Sequence, residues 1–247
     1  MSDYHGHEVA VPSAADMSVD QGLRKFLLGI YNKLGLGLLV AAAVAYFGST
    51  TPAFMEAMYN IEGGQFRGYS PLGWIVGLAP LGLILISNFF MRSLAGAMFI
   101  YWAIVALIGA SSAIYLAVYT GPLIAIALLA TAVSFGGLSL IGYITKRNLG
   151  PMGNFMGMAM WGLVISALII PFLGGVSPMF LMIMCGIGIL LTAGLIAATT
   201  QGMKMAYYAT LGDEEAQKIV SYDAALSLFI QFVNLFRFIL MIIGMRR

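Results

Sequence analysis

Apolar runs follow one another along this chain at 31–49, 72–90, 95–118, 122–144, 155–173 and 179–200, and a seventh, more polar run covers 222–244. A bilayer's hydrocarbon core is about 30 Å thick, which one helix crosses in about 20 residues. Lipid offers the backbone no hydrogen bonds, so such a run is stable there only as a helix. Turn-bearing connections such as "STTPAFMEAMYNIEGGQFRGYSP", "VYTGP" and "TKRNLGPMG" separate the runs, and after the sixth comes "GMKMAYYATLGDEEAQKIVS", the only sizeable polar segment besides the tail. Composition agrees: 61% of residues are hydrophobic and 9% charged. A soluble domain has about 25% charged residues, and so few charges could not cover a water-facing surface. The expected fold class is all-α, a polytopic membrane bundle of seven transmembrane helices. Residues 1–25 are expected to form a disordered cytoplasmic tail and 26–247 a single transmembrane domain.

A formal charge of +2 argues against a nucleic-acid partner. Cys185 is the one cysteine and reads as a buried, inert thiol. His5 and His7 are the only histidines and lie in the tail, so no metal site is expected. No nucleophile–base pair or phosphate loop stands out, so neither catalysis nor a cofactor is expected. The tail carries Asp3, Glu8, Asp16 and Asp20 and does not read as a secretory signal. Lys and Arg gather before span one (Arg24, Lys25), after span two (Arg92), after span four (Lys146, Arg147) and after span six (Lys204, Lys218). Intervening loops offer only Arg67. By the positive-inside rule the N-terminus is cytoplasmic. Seven full spans place Arg246 and Arg247 outside, whereas a re-entrant last segment would return them inside. Glycine pairs at Gly73/Gly77 and Gly153/Gly157 suit close helix approach.

The last run is punctuated by Asp223, Ser227, Gln231, Asn234 and Arg237. At 100° per residue these share one side of a helix, within an arc of about 120°. Lipid cannot satisfy an amide, so the stripe must face protein or water, and the last helix is expected at the centre of the bundle. Two readings stand side by side: interhelical glue, or a polar path for ions or protons. The sixth span ends in a second polar group, Thr199, Thr200 and Gln201, suited to bond the seventh.

Four stretches carry a resemblance: "FLLGIYNKLGLGLLVAAAVAYFG", "SPLGWIVGLAPLGLILI", "FGGLSLIGYITKRNLGPMGNFMGMAMWGLVISALI" and "ALSLFIQFVNLFRFILMIIG". The chain after residue 25 resembles the Bax inhibitor-1 family, in its bacterial branch. That resemblance implies a seven-helix bundle with a central last helix, a calcium or other cation leak gated by protons, and a role in stress protection. For the bacterial branch it implies modulation of a membrane protease or another membrane protein. The implied location is the bacterial inner membrane, with the lipid bilayer as the general partner. Where relatives carry a pair of aspartates proposed to sense pH, this chain has Thr199 and Gln231. Neither titrates near neutrality, so proton gating by that pair is expected to be weakened.

Overall fold

The computed structural model describes residues 21–62, 65–170 and 176–245. Of the tail expected over 1–25, residues 1–20 lie outside the described residues, as do His5, His7, Arg246 and Arg247, and Gln21–Lys25 begin the first helix. The elements run α1 (Gln21–Thr50), α2 (Pro52–Met58), β1 (Tyr59–Glu62), β2 (Gln65–Tyr69), α3 (Pro71–Phe90), α4 (Leu94–Ser111), α5 (Ala113–Val118), α6 (Gly121–Ile144), α7 (Gly150–Ile169), α8 (Pro178–Ala209) and α9 (Glu214–Met245).

Among the described residues, six helices are long and apolar enough to cross a membrane: α1, α4 with α5, α6, α7, α8 and α9. A shorter apolar stretch, Pro71–Ser87, lies in α3. Proline in the first turn starts α3, α6, α7 and α8, where its missing N–H costs nothing. Ser70, Ser93 and Ser177 side chains accept from Gly73 N, Gly96 N and Phe180 N and cap α3, α4 and α8.

Two expectations about connections are corrected. The segment between spans one and two is not a plain turn. It holds α2 and an antiparallel β1–β2 hairpin, with Tyr59 opposite Tyr69. The polar stretch after span six is mostly helix: α8 runs on to Ala209 and α9 starts at Glu214. Only a tight turn separates them, with Gly212 at φ +90 and Asp213 Oδ1 accepting from Ala216 N. Gly212 suits that left-handed backbone because it has no Cβ to clash.

Helix α9 packs against α1, α4, α6 and α8 and is the central element. Its apolar side is buried as deeply as a soluble core: Leu228, Phe229 and Leu235 meet Ile30 of α1 and Ile100, Tyr101 and Ile104 of α4 in that interior, and Leu240 is fully buried as well. α7 packs only on α8 among its larger contacts and buries none of its residues. One member of each glycine pair read from the sequence sits at a close approach: a Cβ on Gly73 would strike the Met58 backbone and one on Gly153 the Ala198 side chain, whereas Gly77 and Gly157 would meet nothing. Two glycines outside those pairs lie where long helices cross: a Cβ on Gly109 would strike the Ala41 backbone and one on Gly142 the Ala197 backbone. The α1–α4 and α6–α8 crossings therefore depend on those two residues.

The start of α1 and the α3–α4, α6–α7 and α8–α9 connections share one end of the bundle, here the basic end. The hairpin marks the other.

Candidate functional site

Three clusters of polar groups stand out among the described residues, each built where α9 or α8 meets a different neighbour. The first lies at mid-bundle. Gln231 Nε2 donates to Thr199 Oγ1 at 2.8 Å, tying α9 to α8. Gln231 Oε1 is buried without a partner among the described residues. Thr200, one residue on, donates to Ile196 O at 2.8 Å, the usual resort of a threonine in a helix. Thr199 and Gln231 are half-buried, and Thr200 is buried.

The second cluster corrects one expectation. Gln201 does not bond the last helix. Its Oε1 accepts from Leu149 N at 2.7 Å, and its Nε2 donates to Arg147 O at 2.7 Å and Thr145 O at 3.3 Å. These are the backbone groups left open where α6 ends and the chain turns into α7. Gln201 is thus the cap of that turn. Beside it Lys204, 6% exposed, donates Nζ to Tyr143 O and sits 3.8 Å from the Tyr143 ring centroid.

The third cluster is at the hairpin end. The helix of the third span breaks at Ser111–Ser112, between α4 and α5. The serine hydroxyls donate back to Ile108 O, at 3.1 and 2.6 Å, and receive the Arg237 guanidinium at 3.4 and 3.2 Å. Arg237 also lies 5.6 Å from the Tyr115 ring centroid. The break leaves carbonyls open, and Tyr59 OH donates to those of Ala110 and Ser111, at 3.3 and 3.2 Å. Tyr59 is 1% exposed. Burial, and next the neighbouring Tyr69 hydroxyl, push its phenol up to about 12, and burial raises Tyr69 as well.

The stripe on α9 is therefore divided. Gln231, at one edge of the arc, meets α8, and Arg237, at the other edge, meets the α4–α5 break. Ser227 and Asn234 between them are half-buried, and Asp223 is exposed near the basic end. The sequence reading singled out every α9 member but missed Tyr59, Ser111 and Ser112. A Ser-Ser pair inside an apolar run was the available signal for the break. Nothing local marked Tyr59. No group of three or more His, Cys, Asp or Glu capable of holding a metal occurs among the described residues.

The arrangement can bond, position and repel charge. It offers hydroxyls, the Gln201 and Gln231 amides and two cations, Lys204 and Arg237, with no carboxylate bonded to them among the described residues. The acids outside the tail are Glu56, Glu62, Asp213, Glu214, Glu215 and Asp223, and all of them lie toward the ends of the bundle.

Residues 23–247 match the family described as "Inhibitor of apoptosis-promoting Bax1". An uncharacterized protein of Caulobacter vibrioides is 44% identical over the whole of both chains. An uncharacterized protein of Rickettsia prowazekii is 35% identical over 95% of each. The Escherichia coli inner membrane protein YbhL is 30% identical, over 92% of this chain and 94% of its own.

Proposed function

The chain belongs to the Bax inhibitor-1 family of integral membrane proteins, and from that premise we propose that it acts without proton-gated calcium conduction, by contact with other membrane proteins. A membrane protease or a stress-response protein is the class of partner meant. In this reading α3 is the seventh span, the membrane is the bacterial inner membrane, and the basic end faces the cytoplasm. The Lys and Arg distribution supports that orientation.

One observation carries the reading: the direct bond between Gln231 Nε2 and Thr199 Oγ1, at the two positions to which the family resemblance assigns aspartates. Two carboxylates there would share a proton and titrate as a pair. An amide and a hydroxyl form one bond that no ordinary pH change breaks. The surroundings point the same way. Calcium favours a shell of six to eight oxygens rich in carboxylate, and the charges that flank the site along α8 and α9 toward the two ends of the bundle are the buried Lys204 and the half-buried Arg237.

A second reading, a pH-independent cation leak, rests on Gln231 Oε1. That carbonyl oxygen is buried and unpartnered in the bundle interior, as a cation-coordinating oxygen would be.

Calcium flux into liposomes holding the purified protein separates the two. The proposal expects the rate of protein-free liposomes, flat between about pH 6 and 8. A rate above that background, unchanged with pH and lost in Gln231→Leu, selects the leak. A steeply pH-dependent rate overturns both.

A further inference from the structure

A cleft of about 480 Å³ runs between α1 and α6. Gly35 and Leu38 form one wall, Gly136 and Ser139 the other, and Thr200 and Phe232 line it from α8 and α9. Its volume falls within the range of about 300–1,000 Å³ usual for ligand sites. Ala132, Gly136 and Leu140 on its α6 wall are exposed, so the cleft opens sideways along helices that cross the membrane. Added Cβ atoms on Gly35 and Gly136 would each meet nothing within 4 Å, so the missing side chains leave that space open.

Two independent features suit an anionic amphiphile. The first is Ser139. It is 7% exposed, and its Oγ has no hydrogen-bond partner among the described residues. The buried threonines Thr131, Thr192 and Thr200 each donate to the carbonyl four residues back, at 2.7, 2.7 and 2.8 Å. Ser139 does not, and a buried hydroxyl left unpaired is costly unless something in the cleft accepts from it.

The second feature is Lys204. Tyr143 lines the cleft toward its basic end, and Lys204 bonds the Tyr143 carbonyl and stacks over its ring. No acidic side chain pairs with this buried ammonium among the described residues. A buried charge without a counter-charge is penalised, and an anion at the mouth of the cleft would relieve it. Arg24 and Lys25 at the start of α1, and Lys146 and Arg147 after α6, are exposed at the same end.

We propose that the α1–α6 cleft holds an anionic glycerophospholipid of the surrounding bilayer. One acyl chain lies between the two helices, its ester carbonyl accepts from Ser139 Oγ, and its phosphate faces Lys204 and the basic residues of that end. Depth fits this assignment. Ser139 lies about 8 Å along the helix axis from the end of α6, so an ester there leaves the phosphate near the helix end. The apolar walls take the chain, and the charge at one end sets its direction.

The test is native mass spectrometry of the purified protein equilibrated with equal phosphatidylglycerol and phosphatidylethanolamine. The intact protein should retain one lipid, with phosphatidylglycerol favoured roughly tenfold. Gly136→Leu fills the cleft and should lower occupancy by roughly tenfold. Gly35→Leu does the same from the opposite wall and serves if the first variant fails to fold, as judged by its elution profile and unfolding midpoint. Gly162→Leu, on α7, where an added Cβ also meets nothing, should leave occupancy unchanged. Lys204→Met should keep a bound lipid but lose the preference for the anionic headgroup. Equal retention by Gly136→Leu, Gly35→Leu and Gly162→Leu would mean loosely associated bilayer lipid only and overturns the site. An undiminished headgroup preference in Lys204→Met overturns the placement of the phosphate.

Discussion

Gln231 and Thr199 face each other across the α8–α9 interface, amide nitrogen to hydroxyl oxygen at 2.8 Å, while the Gln231 carbonyl oxygen stays buried and unpaired among the described residues. The relationship is lopsided. Thr199 can turn its hydroxyl to a carbonyl one turn back, as Thr200 does. Gln231 has no such local resort, because its amide sits at the end of a long side chain between helices.

Unequal stability costs follow from that asymmetry. Thr199→Val strands the whole amide and should cost about 1–3 kcal/mol. Gln231→Leu removes an orphaned acceptor along with the bond, so its cost should fall near the bottom of that range. The double variant should resemble Gln231→Leu alone rather than the sum. Thermal unfolding in detergent measures the cycle, and additive costs would show that the two side chains do not depend on each other.

Installing carboxylates at both positions should create proton sensitivity. Thr199→Asp with Gln231→Asp places two acids within hydrogen-bond reach, and their shared proton is expected to leave at a pH well above that of an ordinary aspartate. The double variant should unfold more easily as pH rises from about 6 to 8, when both acids ionise. The parent should not, and an equal slope in both would exclude this interface as the sensor.

Gln201 should behave as a structural cap. Its three bonds satisfy Leu149 N, Arg147 O and Thr145 O at the α6–α7 turn. Gln201→Ala leaves those groups unsatisfied and should cost about 2–4 kcal/mol. Hydrogen exchange should rise first at residues 145–149. A loss below about 0.5 kcal/mol would mean that water replaces the side chain there.

Alkaline pH should weaken the hairpin end. The Tyr59 phenol is held protonated up to about 12 by burial and by Tyr69. Its pKa is raised above the unfolded value of about 10, so its contribution is full below that value and is lost as pH rises through the folded one. Unfolding midpoints should decline over that alkaline window. Tyr59→Phe should flatten part of the decline while lowering stability by about 1 kcal/mol at neutral pH, because the Ala110 and Ser111 carbonyls lose their donor.

Orientation is tested by cysteine labelling of intact cells. Native Cys185 is buried and should stay silent. Glu56→Cys, exposed near the hairpin, should react with an impermeant reagent, and Asn148→Cys, exposed after α6, should not. The reverse pattern would place the basic end outside.

Family membership was legible only as a resemblance carried by stretches such as "ALSLFIQFVNLFRFILMIIG", whereas the membrane class was legible because length and hydropathy decide it locally: an apolar run about as long as a bilayer is thick has few other ways to satisfy its backbone. The polar stripe was legible for the same reason, since a 3.6-residue period places Gln231 and Arg237 on one side of α9. The ends of α8 and α9 were not. Lys204 to Ala209 and Glu214 to Tyr222 are polar turns of continuous helix, and hydropathy reports only the part of a helix that meets lipid. Nor could spacing assign partners. That Gln231 takes Thr199, Gln201 takes the α6–α7 turn, Arg237 takes the α4–α5 break and Ser139 faces an open cleft depends on how each helix is rotated about its axis against its neighbours. Sequence fixes which side chains share a face. Packing, where Gly109 meets Ala41 and Gly142 meets Ala197, fixes what that face touches.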